Sequence, residues 1–85
     1  MKIEQAFGIV LNRHRTNLQL SQEELAFQSG LDRTYISLLE RGKRKPTINT
    51  LFSLARTLRV TPAQLIKEVE EYLDQTLILN TSPRD

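Results

Sequence analysis

Residues 21–60 read SQEELAFQSGLDRTYISLLERGKRKPTINTLFSLARTLRV, and the punctuation of this stretch dictates three helices. Ser21, followed three residues later by Glu24, is a capping box: the hydroxyl accepts from an amide one turn in, and the carboxylate answers the cap's own N–H. A short helix therefore starts at Gln22, buries Leu25 and Ala26, and stops at Ser29-Gly30, where glycine enters the left-handed conformation cheaply. Asp32 caps the next helix, Arg33 to Arg41, which turns Ile36 and Leu39 inward and closes at Gly42. Lys43, Arg44, Lys45 and Pro46 form a basic turn. Thr47 then caps a helix whose Ile48, Leu51, Phe52, Leu54, Ala55 and Leu58 carry a core signature.

The flanks extend the same pattern. Ahead of it, Ile3, Phe7, Val10, Leu11 and Leu18 recur at three- and four-residue steps, which predicts a helix from about Ile3 to Asn17 with these residues as its inward stripe. Behind it, Thr61 caps and Pro62 opens a fifth helix with Leu65, Ile66, Val69, Tyr72 and Leu73, ending between Asp74 and Ile78. Residues 1–79 are expected to form a single domain, with 80–85, which contain Pro83 and polar groups, as a flexible tail. The fold class is all-α: Leu and Ile lead the apolar set, and no alternating stretch survives beyond a few residues.

Composition removes several functional classes. With 85 residues there is room for one modest core. There is no cysteine and a single histidine, so neither a disulfide framework nor a metal site is expected, and no cofactor is implied. His14 is expected to face solvent and is given no site. The longest apolar runs, such as Leu77 to Leu79, fall far short of the roughly 20 residues of a membrane span, and the N-terminus lacks an apolar signal segment. A cytoplasmic protein is the expectation. An enzyme is not: the chain offers no glycine-rich phosphate loop and no cluster of carboxylates facing a pocket.

The net charge of +2 hides a division along the chain. Residues 1–31 are neutral. Residues 32–59 hold seven basic side chains against two acidic ones, a net of +5, and residues 60–85 hold two against five, a net of −3. A basic middle and an acidic end point to a polyanion-binding face and a separate surface turned elsewhere.

The two short helices from Gln22 and from Arg33 are joined by a turn of three or four residues centred on Gly30 and Leu31, which is helix-turn-helix spacing. Such a pair needs a small residue where the helices approach, a turn former and an apolar anchor; Ala26, Gly30 and Ile36 supply them. The second helix can then lie in the major groove, where each base pair shows a distinct pattern of donors and acceptors.

On these residues the chain resembles the Cro and phage-repressor type of helix-turn-helix domain, the Xre family, and the five-helix layout around them resembles the lambda-repressor-like fold. Within that family, DRTYISLLERGKR looks most like the controller proteins of restriction-modification systems, small dimeric regulators without an added effector domain. The resemblance implies a sequence-specific regulator of transcription, repressor or activator, that binds double-stranded DNA. Gln22 would clamp a phosphate at the start of the second helix. Arg33, Thr34, Tyr35 and Ser37 would face the bases: Arg33 can bond guanine O6 and N7 together, Thr34 can touch a thymine methyl, and Tyr35 can reach a base or phosphate through its hydroxyl. Partial core packing is the alternative for Tyr35. Arg41, Lys43 and Arg44 would contact phosphates, fixing register without reading sequence, while Lys45 stays solvated.

Arg15 and Glu40 match the family's buried pair that ties the first helix to the recognition helix; otherwise Glu40 pairs with surface arginines. The fifth helix and the apolar end beyond it carry more apolar surface than one turn of packing uses. Leu65, Ile66, Val69, Leu73 and Leu77 are therefore expected at a homodimer interface, the alternative being that they complete the monomer core. Glu68, Glu70, Glu71 and Asp74 would form an acidic rim. Two-fold symmetry sets the recognition helices about 34 Å apart and predicts a pseudo-palindromic operator. No small-molecule effector is expected. The rival reading is an antitoxin-like or adaptor module whose main partner is another protein.

Overall fold

The computed structural model describes residues 1–80, with side chains described as far as Asp74. Five helices follow in order: α1 Ile3–Asn17, α2 Gln22–Ser29, α3 Arg33–Glu40, α4 Ile48–Leu58 and α5 Pro62–Asn80. The caps are those the sequence calls for. The Ser21 hydroxyl accepts from the Glu24 amide at 2.9 Å and the Glu24 carboxylate accepts from the Ser21 amide at 2.8 Å. Asp32 accepts from Thr34 N–H at 3.0 Å, and Thr47 from Thr50 N–H at 3.1 Å. Gly30 ends α2 at φ 72°, ψ 26°, with its amide and that of Leu31 turned back onto Phe27 and Ala26 carbonyls. Two helix ends break this economy: the chain leaves α1 through Gln19 at φ 60° and α4 through Arg59 at φ 63°, left-handed positions that no glycine marks in the sequence.

One apolar cluster joins all five helices. Leu11, Leu25, Ile36, Leu39, Leu54 and Leu65 are fully buried at its centre, each contributing about 1.5–3 kcal/mol relative to exposure. Leu31, Tyr35, Val60, Tyr72 and Leu73 pack against its edge.

Several apolar residues expected inside lie outside. Ile3 and Leu18 are 66% and 43% exposed, because they sit at the two ends of α1, past the neighbours that cover Ala6, Phe7, Val10 and Leu11. On α4, the inward stripe is Leu51, Leu54, Ala55 and Leu58. At about 100° per residue, Ile48 and Phe52 stand roughly 80° and 120° from its centre, and they are 70% and 54% exposed.

Two glycines let α1 approach the end of α3 closely. A Cβ on Gly8 would lie 2.5 Å from the Leu39 carbonyl oxygen and 2.6 Å from that of Glu40, so the two helix backbones touch there. At Gly42, in the left-handed region, a Cβ would stand 3.0 Å from Cγ of Gln5. The position of α3 is thus set by backbone contact as well as by the core side chains Ile36 and Leu39.

His14 does not face solvent as expected. Its Nε2 is 2.8 Å from Glu68, and both side chains are less than one-fifth exposed. Gln64 donates to the other Glu68 oxygen at 2.6 Å, and the Arg13 guanidinium lies 5.4 Å from the centre of the Tyr72 ring. These contacts clasp α1 to α5, and they remove Glu68 from the acidic rim. Burial pushes the Glu68 carboxyl up, but bonds from Gln64 and His14, with the charges of His14 and Arg13, outweigh it and hold the group below the ordinary carboxylate range.

Candidate nucleic-acid interface

The surface that could meet DNA is assembled by α2, the Gly30 turn, α3 and the turn that follows. Ile36 and Leu39 anchor α3 with no exposure, which fixes its rotation about its own axis. Opposite them, at about 100° per residue, Thr34, Ser37 and Arg41 fall within roughly 60° of one another, with Arg33 beside them at the N-terminal end. Arg33, Thr34 and Arg41 are exposed and Ser37 is half-buried. Lys43 and Arg44 are exposed on the turn after the helix. Leu38, which sequence reasoning passed over, lies at the edge of the same outward stripe and is half-buried.

Tyr35 differs from the other residues expected to read bases. It flanks the inward stripe, packs against the core, and its hydroxyl is 3.3 Å from Thr50 Oγ1. Thr50 in turn accepts from the Thr47 hydroxyl at 3.0 Å and is the one buried polar residue among those described. The partial packing weighed as an alternative is what the fold contains, and it ties the recognition helix to the cap of α4.

Behind the interface, one carboxylate gathers three elements. Glu40, at the end of α3, accepts from Arg15 Nε at 2.6 Å and Nη2 at 3.0 Å, from Asn12 Nδ2 at 3.1 Å and from Gln22 Nε2 at 3.0 Å. Arg15 also donates through Nη1 to the Leu20 carbonyl at 2.7 Å. The side chains of Arg15 and Glu40 are 13% and 5% exposed. This is the expected buried pair, enlarged by two amides that sequence reasoning did not assign to it. Burial pushes the Glu40 carboxyl up, yet hydrogen bonds from Arg15, Gln22 and Asn12 and the Arg15 charge hold it below the ordinary range. The hydrogen bond to Glu40 is also the main cause that raises Arg15 above its usual value.

Gln22 is consequently half-buried and oriented rather than free. One amide proton serves Glu40; the other meets no acceptor among the described residues.

Residues 11–65 match the sequence model of the helix-turn-helix family, more than half of the chain. The chain belongs to the Xre-type helix-turn-helix family of DNA-binding transcriptional regulators. It is 38% identical over 71 residues to the HTH-type transcriptional regulator y4dJ of Sinorhizobium fredii, covering 84% of this chain and 92% of that one. It is 39% identical over 66 residues to control protein C.SmaI of Serratia marcescens, covering 78% and 79%. Among solved structures, the restriction-modification controller protein C.AhdI from Aeromonas hydrophila aligns with a TM-score of 0.71 at 44% identity, over 73% of this chain and 94% of that one.

For this helix-turn-helix protein the expected dimer residues separate into two groups. Leu65 and Val69 are 0% and 5% exposed in the chain's own core, so they are not available to a partner. Ile66 is 50% exposed, Leu73 is half-buried, and the side chain of Leu77 lies outside the described residues, as do residues 81–85 of the expected tail. The helical repeat explains the division: Leu65, Val69 and Tyr72 form the inward stripe, whereas Ile66 sits on the stripe beside it. No helix among the described residues is long and apolar enough to cross a membrane.

Proposed function

We propose that the protein binds a pseudo-palindromic operator in double-stranded DNA as a homodimer and regulates transcription in the manner of a restriction-modification controller, acting in the cytoplasm as one domain. The observation that carries this reading is the outward stripe of α3, Arg33, Thr34, Ser37 and Arg41, aimed by the Glu40 hub and continued by exposed Lys43 and Arg44. Arg33, Thr34 and Ser37 address base edges; Gln22, Arg41, Lys43 and Arg44 address phosphates.

Tyr35 joins the base contacts in a restricted way. When the Thr50 hydroxyl gives its proton to the phenol oxygen, the phenol O–H is left to donate to a guanine, a thymine or a phosphate, and the ring stays packed. Control by protein concentration and dimerisation, without a small-molecule effector, is part of this reading.

The test is selection of bound sequences from a random duplex library with purified protein at moderate salt. An enriched inverted repeat with half-sites about one helical turn apart is the expected result. Binding without enrichment, falling steeply with salt, would overturn the operator reading and leave only phosphate attraction.

A further inference from the structure

Thr50, in the first turn of α4, is the one buried polar residue among those described, yet its hydroxyl does nothing for the helix that carries it. The cap of α4 is the Thr47 oxygen on the Thr50 amide, 3.1 Å away, and that amide is present whatever side chain stands at position 50. Nor does the Thr50 hydroxyl turn back to a carbonyl of its own helix, as the hydroxyls of Thr16, Ser29 and Thr57 do. Its partners are two other hydroxyls: Thr47 donates to it at 3.0 Å, and the Tyr35 phenol oxygen lies 3.3 Å from it.

We infer that Thr47 and Thr50 are positioning residues: they fix the direction of the Tyr35 phenol proton, and so make the recognition helix demand a hydrogen-bond acceptor where Tyr35 meets a base edge. The inference rests on the operator reading above and deepens it, by naming what orients one of its base contacts.

Proton counting sets the direction. A hydroxyl holds one proton and two lone pairs. Thr47 gives its proton to Thr50 and a lone pair to the Thr50 amide, and two hydroxyls do not donate to each other across one contact. The Thr50 proton is therefore left with the phenol oxygen as its acceptor. Were the phenol to donate to Thr50 instead, Thr50 would accept twice and keep a buried proton without a partner, which carries the full desolvation penalty of that group.

The relay thus runs from Thr47 through Thr50 to Tyr35. It ends with a lone pair of the phenol oxygen occupied on the inner side and the phenol proton turned outward. The ring packs against the core and is half-buried, so the side chain itself is held in place. A phenol presented in this way donates to guanine O6 or N7 or to thymine O4, and finds no acceptor on the major-groove edge of cytosine, which shows only its N4 donor. Without the relay the phenol proton turns freely, and the group serves as donor or acceptor alike. Part of the base choice is therefore set from α4, outside the helix-turn-helix itself.

The test is selection of bound sequences from a random duplex library with the parent protein and four variants, Tyr35→Phe, Thr50→Val, Thr50→Ser and Thr47→Asp, each checked for parental helicity by circular dichroism. Tyr35→Phe marks the base pair that the phenol reads, as the one whose preference flattens. There Thr50→Val, which keeps the shape and loses the hydroxyl, should reduce the preference for guanine or thymine over cytosine about tenfold and leave the other positions unchanged. Thr50→Ser should restore it. Thr47→Asp keeps an N-cap but cannot donate, so it takes the Thr50 proton, draws the phenol proton inward and should move the same base pair toward cytosine. Its added charge weakens all duplexes alike and leaves the relative preference readable.

A merely structural role for Thr50 would have Thr50→Val alter every position together or none, and either result would overturn the relay. So would a Tyr35→Phe profile identical to the parent's; in both cases the operator reading stands. A parent protein that enriches no sequence would overturn both.

Discussion

The contact between α1 and α3 makes a prediction whose sign runs against helix propensity. Gly8 lies inside α1, where glycine is the poorer helix former, and Gly8→Ala on an open helix face would stabilise by about 1 kcal/mol. Here the added methyl meets two carbonyl oxygens at 2.5 and 2.6 Å, and these are backbone atoms that no rotamer change moves aside. Ordinary contact begins near 3.4 Å, so α1 must withdraw from α3 by about 0.9 Å.

A gap of that size forfeits a quarter to a half of each dispersion contact across the seam between α1 and α3, and overpacking of this kind costs roughly 3 kcal/mol. Set against the helix gain, the net loss is about 2 kcal/mol, which in a domain of this length lowers Tm by roughly 8–16 °C. Withdrawal also lengthens the bonds from Arg15 and Asn12 on α1 to Glu40 on α3. The assay is thermal and urea unfolding of Gly8→Ala beside the parent protein, followed by circular dichroism at neutral pH. A variant that melts at or above the parent would refute the reasoning, because helix propensity would then outweigh a contact argued to be closed.

Two further perturbations address the ion pair and the recognition helix. Glu40 is held below the ordinary carboxylate range when folded, so its contribution to stability is complete above the unfolded value near 4.3 and fades as pH falls through the lower, folded value. Melting temperatures should therefore hold down to about pH 5 and fall below about pH 4, and Glu40→Gln should be less stable at neutral pH with a flatter acid limb; an acid limb of unchanged slope would remove Glu40 from the account. Arg33→Ala should cost roughly 1–3 kcal/mol of operator affinity and relax selection at one base pair, whereas Arg44→Ala should weaken all duplexes about equally and reduce the salt dependence. Equal effects from the two in a binding titration against operator and scrambled duplexes would refute the division between base and phosphate contacts.

What could be read along the chain was local. Ser21 with Glu24, Asp32, Thr47 and Gly30 act on amides one turn away or on their own backbone angles, so their effect needs no tertiary partner. The five helices, the inward faces of α2 and α3 and the exposed basic turn all follow from that level of information. The left-handed residues that end α1 and α4, Gln19 and Arg59, were not legible, because no glycine announces them.

The resemblance to the Xre family added the Arg15–Glu40 pair, a contact between residues 25 apart that no local rule generates. Its extension to Asn12 and Gln22, and the clasp of His14 on Glu68, were legible in neither way, since surface-type residues become partners only when α1, α2, α3 and α5 are folded together. The same holds for Gly8, whose importance is a distance to another helix's backbone rather than a property of α1.

The sequence by itself therefore determined the helices, their caps, the helix-turn-helix and the charge division, all consequences of near neighbours and periodicity. Only the tertiary structure decided which apolar residues were left uncovered. Helical periodicity gives each residue its angle about its own axis, but which angles are covered depends on where the other helices lie. That is why Leu65 and Val69 went to the core while Ile3, Ile48 and Ile66 were left around an open groove.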